Sequence, residues 1–147
     1  MNLSDTFKPI GELEIVVRGE DGNIKEVRKA KNLVVSAGKT FIASRLVGTS
    51  SGIMSHMAIG TSTSTPQAAD TTLGTEAGRV SLASGSNTAN AITFTATFPA
   101  GTGTGAITEA AVLNAASGGT MLCRTTFPVV NKAAGDSIAV TWTVTIS

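Results

Sequence analysis

Near the end of the chain, in DSIAVTWTVTIS, Ile138, Val140, Trp142, Val144 and Ile146 alternate with Ala139, Thr141, Thr143 and Thr145. A period of two puts the apolar residues on one face of a strand and the threonines on the other. Residues 91–98 repeat the pattern, with Ile92, Phe94, Ala96 and Phe98 set against Thr93, Thr95 and Thr97. Two strands with matching apolar faces predict a shared core containing Ile92, Phe94, Phe98, Val140, Trp142 and Val144. Further short apolar runs near 54–59, 78–83, 107–114 and 120–127 are separated by Gly-, Ser- and Asn-rich punctuation and read as strands. The one stretch with helical character is SAGKTFIASRLVG, residues 36–47, with Ser36 as N-cap, Ile42 and Leu46 one turn apart, and Gly48 to end it. Residues 60–76 show no periodicity and are expected to form a long loop with a short turn at Pro66–Asp70.

The first 31 residues have a different texture. GELEIVVRGEDGNIKEVRKAKN predicts a hairpin around Glu20-Asp21-Gly22-Asn23, because Asp-Gly flanked by Val and Ile is a strong turn signal. Glu12, Glu14 and Arg18 on one strand face Lys25, Glu26 and Arg28 on the other, so cross-strand ion pairs are expected. With the hairpin the total is about eight strands. The fold class is therefore all-β, a β-sandwich or jelly-roll-like domain with one short helix. The 147 residues make a single domain: a charged β-hairpin or arm over 1–31, separable from a β-sandwich body over 32–147.

Composition narrows the functional classes. Charged residues are 14% of the chain, against a usual value of about 25%, and more than a third of the positions are glycine, serine or threonine. Eleven basic and ten acidic residues leave a net charge of +1, which argues against capture of nucleic acid or an anionic membrane. The single cysteine, Cys123, cannot form an internal disulfide. The N-terminal sequence lacks the cationic start and apolar run of a signal peptide, and no stretch of about 18 apolar residues occurs. Synthesis in the cytoplasm is expected. So few surface charges, together with several strands, predict exposed edges and apolar patches, and hence a homo-oligomer, dimer or trimer.

No motif for chemistry survives its context. GTSSG at 48–52 puts Ser50 at the nucleophile position of a G-x-S-x-G elbow near His56, but a helix precedes it and a strand follows, the reverse of what the elbow needs. Gly38-Lys39-Thr40 resembles the end of a phosphate-binding loop, yet Leu33 stands where its first glycine belongs. GTGTG at 101–105 reads as a hairpin loop. The lone His56 predicts no metal site, and Asp70, Glu76, Glu109 and Asp136 are too scattered to suggest paired carboxylates. One Trp, five Phe and no Tyr argue against a stacking platform for sugars or single-stranded nucleic acid. No enzyme activity, cofactor or metal is expected.

The succession NLVVSAGKTFIASRL, MSHMAIGTSTST, DTTLGTEAGRV, GAITEAAVLNAASGGTMLCRTTFPVVNK and GDSIAVTWTVTIS resembles small virion structural proteins of tailed bacteriophages over roughly residues 32–147. Ala111, Val112 and Leu113 stand where members of that group tend to carry a glycine and a phenylalanine, which bears on the subtype. A short β-rich chain without a fibrous shaft most resembles a capsid decoration, or cement, protein. The resemblance implies binding to the major capsid protein outside the shell, with no nucleic-acid or membrane partner. A tail, neck or fibre component and a glycan-binding module are the alternatives. Arg18, Lys25, Arg28, Lys29 and Lys31 are the residues expected to contact the capsid or a neighbouring copy.

Overall fold

The computed structural model describes residues 8–49 and 52–146. Nine strands and one helix follow one another as β1 (Pro9–Arg18), β2 (Ile24–Val34), α1 (Ser36–Leu46), β3 (His56–Gly60), β4 (Glu76–Ser81), β5 (Ser84–Thr88), β6 (Ala91–Phe98), β7 (Gly105–Leu113), β8 (Met121–Lys132) and β9 (Ser137–Ile146). They form one antiparallel sheet in the order β4-β3-β7-β8-β2-β1-β9-β6-β5. All-β with a single short helix is thus the observed class.

The sheet curls because β2 serves both halves. It pairs with β1 from Ile24 to Asn32 but meets β8 only at Leu33 and Val34, opposite Arg124 and Cys123. A strand that changes partners along its length turns the sheet and brings its halves face to face, as at the corner of a sandwich. The core between them takes Leu13, Ile15 and Val17 from β1, Phe94 and Phe98 from β6, and Val140, Trp142 and Val144 from β9. Met57, Ile59, Val112, Cys123 and Val130 come from the opposing half. Of the expected core, Ile92 is only partly buried and the other five are buried.

The hairpin over residues 8–31 is built into this body. β1 pairs with β9 along its whole length and with β2 from Gly11 to Arg18, and Leu13, Ile15 and Val17 are at most 1% exposed. Its turn is close to the expected one: Gly19 N–H donates to the Asn23 carbonyl, and Gly22 takes φ +80°. The ion pairs differ from expectation. Lys29 reaches Glu14 across the strands at 3.7 Å, but Arg28 pairs with Glu26 on its own strand, and Lys25 leaves the hairpin for Asp136, at 2.8 Å.

Other elements depart from the sequence pattern for identifiable reasons. β5, Ser84–Thr88, has no apolar residue to signal it and is exposed throughout. β8 continues to Lys132 through Pro128 because the ladder is irregular there: Ile107 pairs with Val130 and Glu109 with Thr126, leaving Pro128 without a ladder bond to make. The helix N-cap is Val35 rather than Ser36, and no side chain caps it; instead Ser36 N–H donates to the Ala68 carbonyl of the long loop. Leu46 does not join Ile42 against the core but is 84% exposed.

Candidate functional site

Three surfaces compete for the role of site, and the first is the outer face of the half-sheet β2-β1-β9-β6-β5. Register places Lys31, Glu12, Thr143, Thr93 and Ser86 in one row across the strands, and Lys29, Glu14, Thr141, Thr95 and Ser84 in the next. A charged strip on β2 and β1 therefore borders a neutral hydroxyl face. A shallow groove of about 450 Å³ runs between them, lined by Ile10, Glu12, Lys31, Thr143 and neighbours. Of the five cationic residues expected to make contacts, Lys29 and Lys31 are exposed on this face. The others are engaged elsewhere: Arg18 donates to the Gly22 carbonyl, Arg28 to Glu26 and Lys25 to Asp136. The Asp136 carboxyl is held below the usual carboxylate range, chiefly by the Lys25 hydrogen bond and then by the Ala133 N–H. Close by, Lys132 is buried, its ammonium pKa lowered by desolvation, and its Nζ donates to the Pro99 carbonyl at 3.0 Å.

The second is the loop over residues 61–75, which is closed at its neck by the Thr61 N–H to Thr75 carbonyl bond and turns at Gln67–Asp70 as expected. It lies over the outer face of β3, β7 and β8, where Leu73 packs with Val35, Ala58, Ala111, Leu113 and Met121. Coverage from outside explains why β7 is buried on both faces from Ile107 onward. The register shift after Ile107 turns Thr108 and Glu109 toward the loop, where Thr108 Oγ1 donates to the Ser62 carbonyl. Glu109, fully buried, accepts from the backbone N–H groups of Ser62, Gly74 and Thr75 and from Arg124 at 2.9 Å. Arg124 spans onward to Asp70 at 2.8 Å and to the Ser64 carbonyl. Two of the four acidic residues that looked scattered in sequence, Asp70 and Glu109, are thus gathered on one arginine. The sequence signal for this was a charged residue, Glu109 or Arg124, set among the apolar residues of each of two strands. The network fastens a loop; its oxygens and guanidinium are consumed by one another.

The third surface is apolar. Where α1 ends, Leu46, Val47 and Ile53 are 84%, 74% and 69% exposed. Beside them a groove of about 460 Å³ opens between the helix and the β5-β6 hairpin, lined by Phe41, Ile53, Met54, Ile92, Phe94 and Ile146, with Arg45, Asn87 and Asn90 also on its walls. At the other end of the helix a Cβ on Gly38 would overlap the Leu122 carbonyl, so the helix seats its backbone directly on β8 there.

The rejected motifs can be located as well. His56 is half-buried on β3, with Nδ1 2.8 Å from Ser55 Oγ and Nε2 3.4 Å from Ser81 Oγ. Ser50 lies outside the described residues. Cys123 sits in the core, where burial pushes its thiol pKa far up and makes it a poor nucleophile. Among the described residues no group of three His, Cys, Asp or Glu side chains could hold a metal ion, and no helix is long and apolar enough to cross a membrane. No family model, curated protein or solved structure matches the chain.

Proposed function

We propose that this chain is a structural virion protein that binds the outside of a tailed-phage capsid and stabilises the lattice of the major capsid protein by bridging subunits. The observation that carries the reading is the exposed apolar end: Leu46, Val47 and Ile53 stand in solvent beside an apolar groove. Burying each such side chain is worth about 1.5–3 kcal/mol, so a partner that covers this end gains attachment energy that a free monomer forgoes. The body beneath is suited to passing load, since the long loop is fixed by buried ions and its connections are hydrogen-bonded to the sheet. No chemistry is required. Separating two bridged capsid subunits would expose the area buried against this protein, on the order of 1,200–2,000 Å² for a standard interface. Self-association multiplies such contacts, because after one copy docks its partner binds at high effective concentration.

Purified protein is mixed with isolated heads, isolated tails and a glycan array. The reading expects co-sedimentation with heads and loss of at least about tenfold in affinity for the double variant Leu46→Asp/Ile53→Asp, both positions being too exposed to upset folding. Binding to tails alone would favour the tail or neck alternative, and binding to glycans alone the ligand-binding one; either overturns the decoration reading.

A further inference from the structure

We infer that β5 is a self-pairing edge, through which two copies of this chain join antiparallel strands across a two-fold axis. The inference rests on the reading of a self-associating structural protein and names the surface that performs it. β5 ends the sheet, hydrogen-bonded to β6 on one side only, so alternate backbone N–H and C=O groups of Ser84–Thr88 face outward. An unpaired edge is a template for another strand, and proteins that avoid this protect their edges with lysine, proline or a covering segment. Among the described residues, the other edges carry such protection. The stretch of β2 that diverges from β8 bears Lys25, Lys29 and Lys31, and β8 has Pro128. β4 holds the Glu76–Arg79 ion pair and is covered at Gly78 by the backbone of Gly103.

β5 alone, Ser-Gly-Ser-Asn-Thr, has no charge and no proline, and no other described strand pairs along its outer side. That neutrality favours a second copy as the occupant. A two-fold antiparallel pair brings the same five residues of both copies together, the central one against its own equivalent, so an edge carrying one sign of charge would repel itself, whereas this neutral one does not. The five residues centre on Ser86, which meets the Ser86 of the other copy at the axis. Ser84 and Ser86 extend the hydroxyl face of β6 and β9, and Gly85 and Asn87 floor the apolar groove, so pairing continues both surfaces from one copy into the next. Because the contact is isologous it closes at two, which selects a dimer over a trimer.

The test is the mass of the full chain by sedimentation equilibrium for wild type, Ser86→Lys, Ser86→Glu and an equal mixture of the two variants. A dimer of wild type, dissociation constants raised at least about tenfold in each single variant by like charges at the axis, and recovery in the mixture are expected. Recovery also excludes misfolding as the cause of the loss. Variants that dimerise as wild type does would place self-association on another surface, overturning this inference while leaving the decoration reading intact. A trimer, or a monomer at all concentrations, overturns it too. A wild-type monomer whose head binding is abolished by Ser86→Lys would assign the edge to the capsid protein instead.

Discussion

Single residues carry much of what holds this molecule in shape. Trp142 is fully buried on β9 opposite Phe94 and Leu13, and its replacement by alanine is expected to lower stability by about 3–5 kcal/mol in urea unfolding. Its indole N–H has no hydrogen-bond acceptor among the described residues, so Trp142→Phe, which keeps most of the bulk and removes the unpaired donor, should cost less than half as much. Glu109 and Arg124 behave differently, because removing the Glu109 charge takes from a buried arginine its one fully buried partner and leaves it only the partly exposed Asp70. Glu109→Gln is expected to destabilise by about 3–5 kcal/mol, and limited proteolysis should then cut within residues 61–75. Asp136 gives a pH dependence. With its folded pKa below the unfolded value of about 3.9, its stabilisation is fully present above that pH and disappears as the pH falls through the folded value. The acid limb of a stability profile should accordingly flatten in Lys25→Met. Trp142 and its neighbours were legible in the sequence because alternation is a local signal. The gathering of Asp70, Glu109 and Arg124 was not, because it joins a loop to two strands across 54 positions of chain and depends on a register shift that no local pattern encodes.

Among the elements, strands with alternating apolar faces were readable and those without were not. β6 and β9 follow their sequence pattern nearly to the residue, whereas β5 has only Ser, Gly, Asn and Thr and exists because β6 offers it a ladder. The helix was readable for its length but not for its cap or its buried face. Its only buried residue is Gly38, a helix-weakening residue kept because nothing larger fits against the Leu122 carbonyl. Gly38→Ala, stabilising in an isolated helix, is therefore expected to destabilise this protein by about 1–3 kcal/mol and to lower its thermal midpoint. The hairpin was readable as a hairpin, but not as part of the core, because its conspicuous charges lie on the solvent face and hide the alternation of Leu13, Ile15 and Val17. Deleting residues 1–31 should thus leave an unfolded chain by circular dichroism rather than a folded body lacking an anchor.

At the scale of the whole molecule, the fold class followed from composition and periodicity, while the curl of the sheet did not. It depends on β2 exchanging one partner for another at Leu33, a long-range event. The surface was legible only in part: hydroxyl-rich strands announced a neutral face, but the exposure of Leu46, Val47 and Ile53 depends on how α1 is docked, which no local pattern encodes. That end and the bare β5 edge give the molecule two places to be held, as the proposed attachment to a capsid exterior and bridging of its subunits requires. Electron cryomicroscopy of virions tests this most directly, by locating density that fits the curled nine-stranded sheet. Such density is expected outside the shell, across junctions between neighbouring capsid subunits, and is expected to be absent from heads carrying the Leu46→Asp/Ile53→Asp protein. Density found only on the tail, or lying on single subunits without reaching a neighbour, would contradict it.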